Sequence, residues 1–286
     1  MIIFVKINDT TMKTMKWMVA LAALVLAAVS CGQKKETPKV LVLYYSQSEN
    51  TRAVADVIAL ALGADEEEIL PVVPYDGSYE ETIQRSRLER EGNNLPQIQP
   101  LKADLSAYDV VFLGYPIWYG TYALPVATLL EQIDLSGKKV VPFCTFGSGG
   151  LVSSTADLAA KQPGAEILPG YGVRAARIAS MPKEVDQFLK ASGFLEGDFA
   201  QLEAFPEQHA VNEEESSIFD AAVEGYPMIH AKAVSTAFRT IPGGVEYLFT
   251  AEDLPREGAP ERAPSQMKVY VTVEEGQAPV FTQVVR

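Results

Sequence analysis

Uninterrupted apolar runs alternate with stretches of three- and four-residue periodicity along the first two thirds of the chain. Val40 to Tyr45 is rich in Val, Leu and Tyr and has the length of a strand buried on both faces. It stops at the polar turn Ser46-Gln-Ser-Glu-Asn-Thr51. Val54, Val57, Ile58, Ala61 and Leu62 then recur at helical spacing. The same grammar predicts strands at Glu68–Val73, Tyr108–Gly114, Lys138–Thr145 and Ala165–Leu168. Helices are expected at Asp76–Gly92, Ala123–Ile133, Ser153–Ala160 and Pro182–Gly193. Five apolar strands alternating with helices predict an α/β fold, a doubly wound five-stranded parallel sheet with helices on both faces.

From Glu196 the pattern changes to residue-by-residue alternation. One helix candidate, Asn212–Tyr226, precedes four alternating runs at Lys232–Arg239, Gly244–Ala251, Met267–Glu274 and Ala278–Val285. Val245, Tyr247 and Phe249 share one face of their run, as a sheet covered on one side requires. This predicts a small α+β domain over 196–286, a helix on an antiparallel sheet. Gly243-Gly244 and Glu275-Gly-Gln277 are its expected hairpin turns, and Pro255–Pro264 its exposed loop.

The first thirty residues break this picture. Lys13 and Lys16 precede an apolar run from Trp17 to Val29 that is short for a bilayer span and suits a signal peptide. It ends in Ala28-Val-Ser-Cys31, which resembles the lipobox of bacterial lipoprotein signals. That resemblance implies cleavage before Cys31, lipidation of its thiol and an exported, membrane-anchored protein, with 31–38 as tether. A plain secretory signal is the alternative.

Charge and cysteine content narrow the chemistry further. The chain has 37 acidic and 24 Lys or Arg residues among 286, a net charge of −13. No basic stripe is present to displace counterions from nucleic acid, whereas basic protein partners suit such a surface. Two cysteines, Cys31 and Cys144, exclude a disulfide framework and a cysteine zinc site on count. Cys144 lies in an apolar run and reads as a small core residue. His209 and His230 lack metal-ligand spacing, so no metal site is expected.

In an open parallel sheet ligands bind beyond the carboxyl ends of the strands. Three loops fall there. Ser46–Thr51 offers hydroxyls, an amide and the first N–H groups of a helix, suited to a phosphate. It lacks the Lys and spacing of a triphosphate loop. Pro116-Ile-Trp-Tyr-Gly-Thr121 brings two large aromatic rings to a strand end, where they can face a planar ligand or pack on a neighbouring helix. Thr145-Phe-Gly-Ser-Gly-Gly150 has three glycines in four positions, which lets backbone approach a ligand closely.

Taken together, YYSQSENT, GYPIWYGTYALPV and FCTFGSGG resemble the flavodoxin family over residues 39–195. The resemblance implies a flavodoxin-like fold and flavin mononucleotide (FMN) as cofactor. By position, Ser46, Gln47, Ser48, Asn50 and Thr51 would hold its phosphate. Trp118 or Tyr119 would stack on the isoalloxazine, with Pro116, Ile117, Gly120 and Thr121 shaping the slot. Thr145, Phe146, Gly147, Gly149 and Gly150 would contact the ring edge. One departure is Glu49, where family members usually have Gly. If that position needs a positive φ, the residue costs on the order of 1 kcal/mol, and a carboxylate near phosphate adds repulsion. Glu49 is therefore expected to point into solvent.

The C-terminal domain resembles the cystatin-like fold in element order only. Thr240-Ile-Pro-Gly-Gly244 lacks the inhibitory Gln and Val pattern, so protease inhibition is not implied. The function this reading implies is an exported redox lipoprotein, either an electron carrier or an FMN-dependent reductase, whose partner is a quinone, a nicotinamide nucleotide or another redox protein. The alternatives are a flavin-free interaction lipoprotein on the same fold, or an enzyme with another phosphorylated or planar ligand.

Overall fold

The computed structural model describes residues 38–255 and 265–286. The expected signal segment, the Cys31 lipidation site and most of the tether and of the Pro255–Pro264 loop lie outside these residues. The first part runs β1 (Val40–Tyr44), α1 (Asn50–Leu62), β2 (Asp65–Glu68), α2 (Tyr79–Glu91), β3 (Val110–Trp118), β4 (Thr121–Tyr122), α3 (Leu124–Gln132), β5 (Lys139–Phe146), α4 (Leu151–Lys161), β6 (Glu166–Ile167), β7 (Tyr171–Arg174) and α5 (Met181–Ala191). The second part is β8 (His209–Ala210), α6 (Glu213–Val223), β9 (Ala231–Ile241), β10 (Gly244–Asp253), β11 (Gln266–Glu274) and β12 (Val280–Val285).

In the first part the parallel order is β2-β1-β3-β5, and β6 and β7 share the fifth place beside the start and end of β5. Strand order reverses between β1 and β3, each of which carries its own covering helix. On one face Leu41, Leu43, Val111 and Leu113 pack with Val126, Leu129 and Leu158 of α3 and α4. On the other Val42, Phe112, Val141 and Phe143 pack with Val54, Ile58, Val185 and Leu189 of α1 and α5. The apolar runs read in the sequence are thus buried on both faces, as expected of a doubly wound sheet.

Three strands differ from expectation, β3 by running on to Trp118 past the expected end at Gly114. The second strand is Asp65–Glu68 rather than Glu68–Val73. It lies at the sheet edge, so its carboxylates find partners outside the core. Asp65 accepts from the Tyr108 hydroxyl and pairs with Lys39, Glu67 accepts from the N–H groups of Lys102 and Ala103, and Glu68 pairs with Arg52. Beyond it the chain leaves the parallel ladder, and Pro71 makes only an isolated bridge to Ile98. The fifth strand extends past Ala165–Leu168, because Tyr171–Arg174 also pairs with β5. Helix α2 starts at Tyr79, inside the expected Asp76–Gly92 segment, with Ser78 and Glu81 closing a capping box.

The second part is one antiparallel sheet, β12-β11-β10-β9-β8, with α6 on one face. Phe249, Val269, Val271 and Phe281 bury their side chains there against Phe219. The four alternating runs and both hairpins fall where expected, while the short β8 was not legible. His209 on it donates a hydrogen bond from Nε2 to the Glu215 carboxylate at 2.8 Å.

Packing between β3 and β5 supplies a test. A Cβ at Gly114 would overlap the Phe143 ring, and Phe143 is fully buried. Gly114→Ala is expected to destabilise by about 1–3 kcal/mol in urea unfolding, and adding Phe143→Leu should recover part of the loss. Cys144 is fully buried and burial pushes its thiol up, so it should stay unreactive to thiol reagents until the chain unfolds.

Candidate functional site

The three polar loops converge at the carboxyl edge of β1, β3 and β5, where a parallel sheet gathers its outgoing turns. At loop one, Glu49 occupies the cap of α1 with φ 60° and makes no side-chain capping hydrogen bond. Its side chain is 71% exposed, as expected, and pairs with Arg52 at 2.9 Å. Arg52 also pairs with Glu68 at 2.5 Å, so two carboxylates share one guanidinium. The Ser46 hydroxyl accepts from the Arg52 N–H at 3.2 Å, and the Asn50 amide donates to Ser48 at 3.3 Å. Ser48 is exposed and Asn50 half-buried.

The other two loop-one residues turn inward. Thr51 is 1% exposed, and its hydroxyl bonds that of Thr145 at 2.8 Å, tying loop one to the end of β5. Gln47 accepts from the Tyr45 hydroxyl and donates to the Tyr75 carbonyl, both at 2.5 Å. Tyr75 in turn donates to Glu89 of α2 at 2.5 Å, and the Arg85 guanidinium lies 3.8 Å over its ring. Burial pushes both phenols up, most strongly that of Tyr75, where Glu89 adds to the effect. Gln47 and Thr51 therefore brace the loop, while Ser48 stays exposed, Asn50 half-buried, and the half-buried Ser46 caps the Arg52 N–H.

Loop two is a two-residue hairpin between β3 and β4. Its central residues Tyr119 and Gly120 both have positive φ, 53° and 85°, as a type I′ turn requires. The strain at Tyr119 is met by anchors on α2. Its hydroxyl lies 3.0 Å from that of Ser86 and donates to the Ile83 carbonyl at 3.1 Å, and Arg90 sits 4.9 Å from its ring. Trp118 makes T-shaped contacts with Tyr45 and Tyr75, ring centroids 5.8 and 5.1 Å away. Both rings thus have protein neighbours, with α2 holding Tyr119. Pro116 pairs with Thr145 in the ladder, and the Thr121 hydroxyl is buried without a hydrogen-bond partner among the described residues.

At loop three Thr145 and Phe146 are buried and the glycines form a tight exit into α4. Gly150 has φ 128°, and a Cβ there would lie 2.6 Å from Ile117, so loops two and three touch. Ser153 donates to the Gly120 carbonyl at 2.5 Å. The outer side of this loop meets the second sheet. A Cβ at Gly149 would overlap the Val284 carbonyl, and one at Gly147 would lie 3.1 Å from the Tyr226 hydroxyl. Two of the three glycines expected to admit a ligand therefore also admit another part of the chain.

Arg174 was not legible as a site residue. It ends a strand that hydropathy did not reveal, and nothing around it in the sequence marks a binding role. In the structure its Nε donates to the Gly147 carbonyl at 2.8 Å and its Nη1 to the Phe281 carbonyl at 2.7 Å. Tyr45, Tyr75 and Glu89 were likewise missed, since their convergence depends on α2 folding back over the loops.

The residues present fit a phosphorylated planar group. The Glu49 side chain makes no cap on α1 and the Arg52 N–H is taken by Ser46, which leaves the N–H groups of Asn50 and Thr51 as donors for an anion, while the orphaned Thr121 hydroxyl is a buried group in need of a partner. The Glu49 carboxylate is turned to Arg52, which offsets its charge beside that start. The Thr51–Thr145 pair is directly testable. Thr51→Val should cost about 1–3 kcal/mol in urea unfolding by stranding the Thr145 hydroxyl, and Thr51→Val with Thr145→Val should be closer to wild type.

A flavodoxin family model matches residues 39–185, a little over half of the chain. Among solved structures, a candidate flavoprotein from Bacteroides eggerthii DSM 20697 is 30% identical, the match covering 54% of this chain and 97% of that one with a TM-score of 0.48. A flavoprotein from Lactobacillus acidophilus NCFM, solved in complex with FMN, is 24% identical over 52% of this chain and 97% of that one, TM-score 0.44. Oxidised flavodoxin 2 from Bacillus cereus is 21% identical over 54% and 99%, TM-score 0.35. No curated protein matches the chain.

Proposed function

Because the chain belongs to the flavodoxin family, we propose that it is an FMN-binding redox protein. The observation that carries this reading is the start of α1, where the Glu49 side chain makes no cap, held by the Thr51–Thr145 pair beside the aromatic hairpin. Bound there, FMN would supply the electron or hydride chemistry.

The chain's own residues position and shield. Ser46, Ser48 and Asn50, with the first N–H groups of α1, hold the phosphate. Gln47, Tyr45 and Tyr75 keep loop one from collapsing. Trp118 or Tyr119 covers the ring, and Thr121 and the backbone of Thr145–Gly150 meet its polar edge. Covering the ring requires Trp118 to turn from its T-shaped packing or Tyr119 to leave α2, a side-chain rearrangement of small extent. No acid or base is required of the protein for electron transfer.

The lipobox resemblance supports an exported chain anchored through Cys31, which brings the redox domain to a membrane surface. The left-handed backbone at Glu49 favours a second reading, a flavin-free interaction protein on the same fold.

Titration with FMN separates the two readings. Quenching of flavin fluorescence with micromolar or tighter affinity is expected, and no binding would favour the flavin-free form. Glu49→Gly should tighten binding about fivefold by removing a nearby carboxylate. Cys31→Ser should move the expressed protein from the membrane to the soluble fraction, and unchanged fractionation would count against anchoring there.

A further inference from the structure

We propose that residues 237–241 of β9 form a docking edge for an extended basic segment of a partner protein, which adds to the second sheet as a further antiparallel strand.

The backbone at this edge is open. Ile241 pairs with Gly244 across a two-residue turn, so Ile241, Arg239 and Ala237 direct their N–H and C=O groups to β10. Those of Phe238 and Thr240 point the other way. On that side β8 pairs only with Ser235 and Thr236. The chain before β8 does not continue along the edge but crosses the face away from α6. There Gln208 bonds Ser235, Thr250 and the Leu248 carbonyl, and the Phe205 ring lies 6.0 Å from that of Tyr270 on β11. The outward donors and acceptors of Phe238 and Thr240 are therefore left without a paired strand among the described residues, and both residues are exposed.

Such edges are commonly guarded by a charge, a proline or a bulge. The charge on this segment, Arg239, is turned to the outer face, where Glu246 holds it at 2.7 Å and the Glu203 carbonyl accepts from it at 2.9 Å. It does not guard the edge.

The side chains around the edge name the occupant. Phe238 is 49% exposed and stands on the α6 face beside Tyr247, ring centroids 5.7 Å apart, with the His209 ring 6.4 Å away. Glu213 and Glu214, both exposed, open α6 on the same face. Burial raises the pKa of the Tyr247 phenol and the nearby Glu214 adds to it. His209 is engaged by Glu215, but no basic side chain pairs with Glu207, Glu213 or Glu214 among the described residues. A cation opposite Phe238 would meet the ring and these carboxylates together. Alternate side chains of an added strand share one face, so the fitting segment carries Lys or Arg at every second position. A second copy of this chain, at a net charge of −13, would bring the same carboxylates against themselves.

The experiment mixes the full chain with a fluorescently labelled peptide of alternating Lys and Val, capped at both ends, and follows anisotropy and amide exchange. Saturable binding is expected, with exchange at Phe238 and Thr240 slowed about tenfold and exchange at Ala237 and Arg239, already bonded to β10, unchanged. The same peptide with Glu in place of Lys should bind about tenfold more weakly. Thr240→Pro deletes one outward donor where an edge strand accepts proline, and should weaken binding about tenfold without altering the circular dichroism. N-methylation of the edge-facing amides of the peptide should weaken binding equally while leaving the protein untouched. Equal binding of the Lys and Glu peptides, slowed exchange confined to other segments, or no saturable binding overturns the proposal. So does self-association in sedimentation that protects Phe238 and Thr240 without peptide, which would give the edge to a second copy.

Discussion

A parallel sheet covered by helices on both faces leaves its backbone one place to meet polar ligands, the carboxyl edge. Here β1, β3 and β5 are dry over most of their lengths, from Leu41 through Phe112 to Val141. Every hydroxyl and glycine of their exit loops is therefore concentrated at one rim. The Thr51–Thr145 hydrogen bond draws two of those loops together, and the Gly150–Ile117 contact joins the third. The candidate site follows from this confinement more than from any single residue.

The same rim also has a structural role. Loop three faces the crevice on one side and the edge of a second sheet on the other. Gly149 sits where β12 passes, and Arg174 joins the two parts through carbonyl groups and an aromatic ring in place of a carboxylate. A glycine-rich turn that resembles a ligand loop is thus also a joint between domains. Helix α2 plays the matching role at loops one and two. Its Arg85, Ser86 and Glu89 hold Tyr75 and Tyr119, so the aromatic side of the crevice depends on a helix that contributes little to either core.

Most of the parallel sheet was legible because burial on both faces writes itself as unbroken apolar runs. The exceptions have the same origin. Asp65–Glu68 is an edge strand of four acidic residues, of which Asp65, Glu67 and Glu68 are answered by Lys39, Arg52, Tyr108 and backbone N–H groups, so no hydropathy pattern marks it. Tyr171–Arg174 is a short continuation beside β5, its role set by a neighbour distant in sequence. The second sheet was legible because it is covered on one face and alternates. At the site, residue identities were readable from the three loops, but the inward turn of Gln47 and Thr51 and the docking at Gly149 are tertiary facts. Glu49 was readable as a departure, and its φ of 60° shows that the backbone keeps the glycine-like conformation without the glycine.

The most direct test of the central claim is the amide spectrum of the isotopically labelled protein with and without FMN. The account expects the cofactor to shift the amides of Ser46–Thr51, Trp118–Thr121 and Thr145–Gly150 together at one saturating concentration. Smaller shifts in β12 should follow, transmitted through Ser148 and Gly149. Saturable shifts confined to other parts of the chain, or none at all, would contradict it.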